Sequence, residues 1–530
     1  MMDGLEKFAE RIACWPRLAA LAFGLLAALG FPPIHAWPLG LISTAGLVWL
    51  VSRAASRRRA FALGWLFGVA HFTLANNWIA TAFTYQAEMP AALGWVAVPL
   101  LSLYLAIYPA LAALGAHMLA RKSGFGLFGV AFAGCWIIAE WLRSWVFTGY
   151  AWDPLGLMLL GPWDRPGIAA ALPWLGTYAL SGLAVLIAVA FGALLARRKA
   201  LGSGILVALL CAGMYFPAPK EAEGTLAFTL VQPDLRQEEL NDAGKFEEQF
   251  ARIAKLTVNR NVGGKRLVLW PESAVPDYLQ DGYPQRYYDQ LTARGDPLFA
   301  RRRIGQVIGP GSLLMTGAVD LEIGEVDGYR KALGARNSVT VLDSEGRFVG
   351  DGYDKAHLVP YGEYLALRWL LEPLGASRLV AGSIDFWPGP GPRTLDLGDY
   401  GKAGVQICYE IVFSGQVADR AHRPDYIFNP SNDGWFGSFG PPQHLAQARL
   451  RAIEEGLPVL RATTTGISAV IDARGVVGRH IGMHRADRID GFVPPAASPT
   501  LFSHLGNGLP LGWAFVLIAA SAVATRRRAS

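Results

Sequence analysis

Charge is scarce in this chain. Asp, Glu, Lys and Arg make up 17% of its 530 residues, where a soluble protein carries about a quarter. The shortage is uneven: the first two hundred residues or so are nearly all apolar, and acidic residues concentrate after Glu221. A uniformly water-soluble protein is thereby excluded, and two materials are joined, one suited to lipid and one to water. Cysteine is scarce too. Cys14, Cys135 and Cys211 lie in or beside apolar stretches, and Cys408 stands alone in the polar part, so no disulfide framework is available there. A phosphate-binding P-loop, a dinucleotide fingerprint and His/Cys pairs at zinc spacing are all missing, so neither a cofactor nor a metal is expected. No 20–50-residue period and no low-complexity tract occurs. The net charge of +6 forms no basic face. It sits in short clusters beside apolar runs (Arg57–Arg59, Arg121–Lys122, Arg197–Lys199, Arg526–Arg528), which argues against a nucleic-acid partner and for membrane orientation signals.

A spanning helix needs about twenty apolar residues. The candidate stretches are Arg17–Pro33, Pro38–Val51, Ala60–Phe83, Ala91–Leu119, Gly124–Phe147, Gly167–Ala196, Leu201–Phe216 and Gly508–Ala524. The first, preceded by Lys7, Arg11 and Arg17, resembles a signal peptide but lacks a small-residue cleavage site before Pro32, and is expected to stay as an anchor. Basic clusters fall before the first segment and after every even-numbered one, which places both termini in the cytoplasm and the long segment between the last two spans on the other side. The expected division is residues 1–219 as a helical membrane domain of about seven spans, 220–503 as an exported catalytic domain, and 504–530 as a last span with a basic tail. Glu140 and Arg143, with His71 and His117, are ionisable residues inside apolar stretches. They leave open a transporter, or pair with each other across one helical turn.

Beyond Thr225 the texture becomes short β-type runs punctuated by Gly, Pro and Asp. Leu226–Gln232, Arg266–Trp270, Ser312–Ala318, Asn337–Leu342, Lys402–Cys408, Tyr426–Asn429 and Gly466–Ile471 read as strands. Lys245–Val258 and Gln443–Glu455 read as helices. Strands alternating with amphipathic helices predict an α/β layered fold. Three strands end in a chemically capable residue: Trp270-Pro271-Glu272, then Lys355 in Asp354-Lys355-Ala356-His357-Leu358-Val359-Pro360-Tyr361-Gly362-Glu363, then Cys408-Tyr409-Glu410. Strand ends converge at one edge of a sheet, so the three can meet. A carboxylate can take the thiol proton, and an ammonium can stabilise the thiolate and the oxyanion it creates. Singly, each is equally a surface residue or, for Cys408, an inert core thiol. His444 reads as a structural hydrogen-bonding histidine.

Together and in this order, these motifs resemble the nitrilase superfamily, whose triad is Glu, Lys and Cys. With spans before and after the domain, the chain resembles apolipoprotein N-acyltransferases over essentially its full length, including Asn429–Gly437 and Gln443–Asp472. The resemblance implies a multi-span helical domain plus an α-β-β-α sandwich, with Glu272 as general base, Lys355 stabilising the oxyanion and Cys408 as nucleophile. Glu363 would support the lysine, and Tyr409 and Glu410 would shape the site. Expected substrate contacts are Asn337, Trp369, Leu370, Trp435 and Phe436. Where the family often has tryptophan before an acidic residue, this chain reads Leu240-Asn241-Asp242. The implied reaction is acyl transfer from a phospholipid, through a Cys408 thioester, to the α-amine of a diacylglyceryl-cysteine lipoprotein, by a monomer in the inner membrane. Leu365, Leu367, Trp369, Leu370, Leu371 and Leu374 within Tyr364–Val380 suggest either a lipid gate or an ordinary packed helix. A membrane-tethered amidase, and a transporter or sensor with an extracytoplasmic domain, are the competing readings.

Overall fold

The computed structural model describes residues 14–529 apart from 86–89, 198, 220–222, 241, 259–263 and 375–383. Asn241 and part of the Tyr364–Val380 stretch therefore lie outside the described residues. The longer apolar helices are α1 (Pro16–Ala28), α2 (Trp37–Ser52), α3 (Arg57–Ala75), α4 (Gly94–Leu105), α5 (Ile107–Ala120), α6 (Phe125–Arg143), α7 (Thr177–Ala196) and α8 (Ala200–Tyr215). Among the described residues four helical stretches are long and apolar enough to cross a membrane: 91–120, formed by α4 and α5 with the turn before them, then α6, α7 and a C-terminal helix over 508–527. α1, α2 and α8 are apolar but shorter. The largest departures from the expected ends are two. α3 stops at Ala75, and α7 starts only at Thr177 because Gly176, at φ +73°, takes a left-handed conformation that breaks the chain direction. Residues 144–176 form an irregular loop instead, with much of its chain buried.

The polar part contains two six-stranded sheets. The first runs β12 (Asp487–Phe492), β1 (Ala227–Gln232), β2 (Arg266–Leu269), β3 (Ser312–Val326), β4 (Tyr329–Asp343), β5 (Tyr353–Asp354). The second runs β11 (Val477–Ile481), β10 (Ser468–Ile471), β9 (Val459–Thr463), β8 (Tyr426–Ser431), β7 (Lys402–Val405), β6 (Thr394–Asp396). Side chains alternate along each strand. On β2, Leu267 and Leu269 face the second sheet and join Val405, Ile427 and Leu460 in one core. Val268, with Trp270 just beyond the strand, faces the other way, onto Ile253 of α9 (Phe246–Thr257) and Ile304 of α10 (Pro297–Ile308). This is the α-β-β-α sandwich. The hairpin β3–β4 is far longer than the sequence runs suggested, its fifteen-residue arms joined at Asp327-Gly328.

The outer layer over the second sheet is α11 (Gly440–Glu455), and it is buried on both sides. Leu445, Ala448 and Ala452 join the sheet core, whereas Ala446, Leu450 and Ile453 join the core of the membrane helices. Polar groups fix the same contact. Arg449 donates to Gly475 O (2.7 Å), Gly161 O (2.9 Å), Pro162 O and Arg165 O (both 2.8 Å). Glu454 Oε1 accepts from Thr177 N at 2.5 Å, capping the start of α7 across the domain boundary. Gln443 accepts from Trp152 Nε1 (2.8 Å) and donates to Pro32 O and Ala75 O (3.1 Å each). Arg449→Ala would orphan the buried carbonyls of Gly161 and Gly475 and the half-buried ones of Pro162 and Arg165. The expected cost is at least about 3 kcal/mol, from the penalty of leaving buried acceptors unmade, read as a clear drop in melting temperature of the detergent-solubilised chain. An unchanged melting temperature contradicts this account of the domain contact.

Candidate active site

β2, β5 and β7 end close together across the two facing sheets and deliver the three singled-out residues. Glu272 lies three residues beyond Leu269 at the end of β2. Its close approach to β3 requires glycine at 317, where a Cβ would lie 2.7 Å from Glu272 Cα. Lys355 follows β5 directly. Cys408 lies three residues beyond Val405 at the end of β7, in a left-handed conformation (φ +52°) that opens a single tight turn over Cys408–Val412. A non-glycine residue held there carries backbone strain of a kind that clusters at active sites.

Lys355 is 2% exposed. Its Nζ lies 3.0 Å from Glu363 Oε1 and 3.5 Å from Glu272 Oε1. Burial alone would depress the ammonium, but the two carboxylates and the Cys408 sulfur more than offset it and the group is held above the usual lysine range. Lys355 is therefore a fixed positive charge. Asn337, expected among the substrate contacts, uses its amide to bridge the carboxylates, with Nδ2 2.7 Å from Glu272 Oε1 and 2.9 Å from Glu363 Oε1. Glu272 Oε2 accepts from Asn432 N (2.7 Å), and Glu363 Oε2 from Val359 N (2.7 Å).

Cys408 is 5% exposed. Burial pushes its thiol up and Glu272 adds to that, while Lys355 and the Asn432 N–H pull it down; the net effect lies well above the usual thiol range. The Glu272 carboxylate and the Lys355 ammonium thus act on this sulfur from opposite directions. Glu410 Oε2 accepts from Ile407 N (2.8 Å), and its Oε1 accepts from Tyr353 O–H (2.9 Å), Ala356 N (2.8 Å) and His357 N (3.1 Å). It ties the cysteine turn to the lysine segment. Burial pushes this carboxyl up to about 7 against the pull of those donors and of Lys355.

Below the turn, His444 bridges Cys408 O (3.0 Å) and Asp433 Oδ1 (2.9 Å), and Arg461 completes a buried network with Asp433 at 2.7 Å. His444 thus holds the Cys408 backbone and is placed to act structurally. Trp435 and Phe436 reach the membrane domain: Phe436 meets Trp78 edge-on at 4.7 Å and Trp152 at 5.7 Å, and Trp435 meets Tyr85 at 6.0 Å. Tyr409 stacks on Trp152 at 6.4 Å. Trp78 and Trp152, supplied by the membrane domain, were not singled out from sequence; both sit in apolar surroundings that disguise them as core. Trp369 and Leu370 lie apart from this cluster on a four-residue helix, 76% and 44% exposed. Among the described residues no group of His, Cys, Asp and Glu is arranged to hold a metal ion.

Comparison with known proteins bears on the whole chain. Residues 23–190 match the profile of the apolipoprotein N-acyltransferase N-terminal domain, and residues 229–482 match that of carbon-nitrogen hydrolases. An apolipoprotein N-acyltransferase of Rhodopseudomonas palustris is 32% identical over 517 residues, 93% of this chain and 92% of that one. Those of Bradyrhizobium diazoefficiens and Caulobacter vibrioides are each 34% identical, over 97% and 96% of this chain and 95% and 94% of theirs. Together these matches span both halves of the molecule, and the chain belongs to the apolipoprotein N-acyltransferase family.

Proposed function

We propose that this chain transfers an acyl group from a phospholipid to the α-amine of a diacylglyceryl-cysteine lipoprotein, through a thioester on Cys408. The observation that carries the reading is the buried Lys355 ammonium held between Glu272 and Glu363 in the field of the Cys408 sulfur. In the first step the Cys408 sulfur attacks the ester carbonyl. Glu272 takes the thiol proton and gives it to the departing glycerol oxygen, leaving a thioester and a lysophospholipid. Lys355 faces the oxyanion that forms in between, with backbone N–H groups of the Cys408 turn as further donors. In the second step the neutral amine attacks the thioester, Glu272 takes a proton from it, and that proton returns to the departing sulfur. An amide and the free thiol result. An amide lies downhill of a thioester, so the transfer needs no further energy source.

The surroundings of the thiol support a lipid donor. The wall beside it is aromatic and continuous with the membrane helices through Trp78, Trp152 and Phe436, a surface suited to an acyl chain. Orientation follows the basic clusters. Val51, Arg57 and Arg121 all approach His117, so the basic ends of three helices gather at one end of the bundle; Trp152 and Trp78 lie at the other, against the sandwich. Positive residues favour the cytoplasm. On this reading the sandwich, residues 220–503, is periplasmic, both termini are cytoplasmic, and a single chain contains every group the reaction uses. Trp369 and Leu370, exposed and apolar, are suited to dip into the bilayer and admit lipid.

Glu272→Gln keeps the shape of the site and removes the base. Transfer of a labelled acyl chain from phospholipid to a diacylated lipopeptide is expected to fall by about a hundred- to ten-thousandfold while the chain stays folded; retention of near-full transfer contradicts the assignment. A Trp369→Ser, Leu370→Ser double variant is expected to slow lipid turnover and leave the rate of Cys408 alkylation by a small water-soluble reagent unchanged. Equal loss of both rates removes the gate from the account.

A further inference from the structure

Two carboxyl groups buried beside the aromatic wall take part in neither step above. Glu140 on α6 and Asp153 in the loop after it are 6% and 2% exposed. Both line a cavity of about 20 Å³. One cation, Arg143, stands by the two acids and pairs closely with neither. Its guanidinium donates to Trp152 O at 2.7 Å and to Asp153 O at 3.4 Å, and lies 3.9 Å from Glu140 Oε1.

The two acids differ in what reaches them. Glu140 Oε1 accepts from Trp136 Nε1 (3.2 Å) and Leu155 N (2.8 Å), a pattern that favours a carboxylate. Both side-chain oxygens of Asp153 are buried with no hydrogen-bond partner among the described residues, as are Glu140 Oε2 and His71 Nδ1. An ionised carboxylate without a donor in such a place is strongly disfavoured. A cavity of this size accommodates about one water, which needs two to four polar partners.

We propose that Asp153 is a proton-binding site: its carboxyl is a neutral acid at physiological pH and donates to one water bound in this cavity. That water in turn donates to Glu140 Oε2 and to His71 Nδ1. His71 fits the acceptor role, because its other ring nitrogen bonds the backbone of Gly24. The ionisable groups facing Asp153 are Glu140 and Arg143 from α6, His71 from α3, Tyr108 from α5 and Tyr150 from its own loop, with Tyr409 of the cysteine turn acting on Tyr150 behind it. With Asp153 neutral, Glu140 and Arg143 balance. Burial pushes the Asp153 carboxyl well above the usual carboxylate range, with Arg143 acting against it.

The site is placed to matter to the chemistry. Asp153, itself in a left-handed conformation (φ +48°), follows Trp152, whose ring stacks on Tyr409 beside the nucleophile. Arg143 holds the carbonyls of both residues. Loss of the proton puts a second negative charge next to that guanidinium and draws it off those carbonyls, so the proton latches the wall against the cysteine turn. Only this consequence rests on the proposed function; the proton site does not.

The test uses full-length protein in detergent. Because the folded state holds the proton more tightly than the unfolded chain, wild type loses stability as pH climbs from the ordinary carboxylate range through the folded value. Asp153→Asn keeps the shape and cannot ionise. Its melting temperature is expected to gain on that of wild type steadily as pH rises, and parallel curves overturn the proposal. Infrared spectra of wild type with heavy-carbon aspartate provide a second measurement that depends on no variant. A labelled carboxylic-acid carbonyl stretch at neutral pH, lost at alkaline pH, is expected, and its absence at neutral pH overturns the proposal. Neither measurement involves substrate, so failure to acylate Cys408 would leave them unaffected.

Discussion

A lysine ammonium with almost no contact with water is the constraint around which the catalytic half is arranged. An uncompensated buried charge is prohibitive in a protein interior, so Lys355 requires both carboxylates that flank it, and these come from segments far apart in sequence. Glu272 arrives from the end of β2, and Glu363 from the loop eight residues beyond the lysine. Two carboxylates that close repel each other, and the Asn337 amide between them relieves this by donating to both. The same demand for partners recurs one layer out. Glu410 takes four donors from the lysine segment, its neighbour strand and the cysteine turn, and Asp433 is matched by Arg461 and His444. The cysteine is thus presented by a shell of polar groups that are satisfied only when both sheets are in place.

That shell is also where the two halves of the molecule become one. α11 is amphiphilic in an unusual sense, with one apolar face for a sheet and another for membrane helices, and it carries His444 under Cys408. Arg449, Glu454 and Gln443 along the same helix bind backbone groups of the membrane domain. The membrane loop 144–176 and the turn that holds Cys408 are therefore joined through this helix by short hydrogen bonds. An enzyme whose substrates are lipids gains by having its thiol fixed relative to the bilayer rather than tethered loosely above it.

Much of this was legible in the sequence, and for identifiable reasons. The apolar stretches announced helices because membrane segments are long and uniform, and Glu272, Lys355 and Cys408 announced themselves because each ends a strand within a specific local motif. What stayed hidden depends on tertiary packing. The arms of β3–β4 extend well past the continuous apolar runs that predicted strands, because beyond Ala318 apolar Val319, Leu321 and Ile323 alternate with Asp320, Glu322 and Gly324. The short strands β5, β6, β11 and β12 lack a long enough alternation to be read. Asn337 was noticed but given to substrate, because nothing in its neighbourhood shows that two carboxylates from distant segments converge on its amide. Trp78 and Trp152 are indistinguishable by composition from any membrane tryptophan. Glu140 and Arg143 stand out as charges among apolar residues, and their pairing across one turn is present at 3.9 Å; Arg143 also serves backbone carbonyls of the next loop, partners that no spacing rule specifies.

The central claim is that Cys408 carries the acyl group covalently. The most direct measurement is to incubate the solubilised chain with phospholipid bearing a labelled acyl chain and no amine acceptor, then locate the label on the protein. The account predicts label on the peptide containing Cys408, removed by neutral hydroxylamine, discharged by a diacylated lipopeptide and missing from Cys408→Ala. A folded wild-type chain that transfers acyl groups to lipopeptide yet never carries label, or that carries it equally in Cys408→Ala, would contradict it.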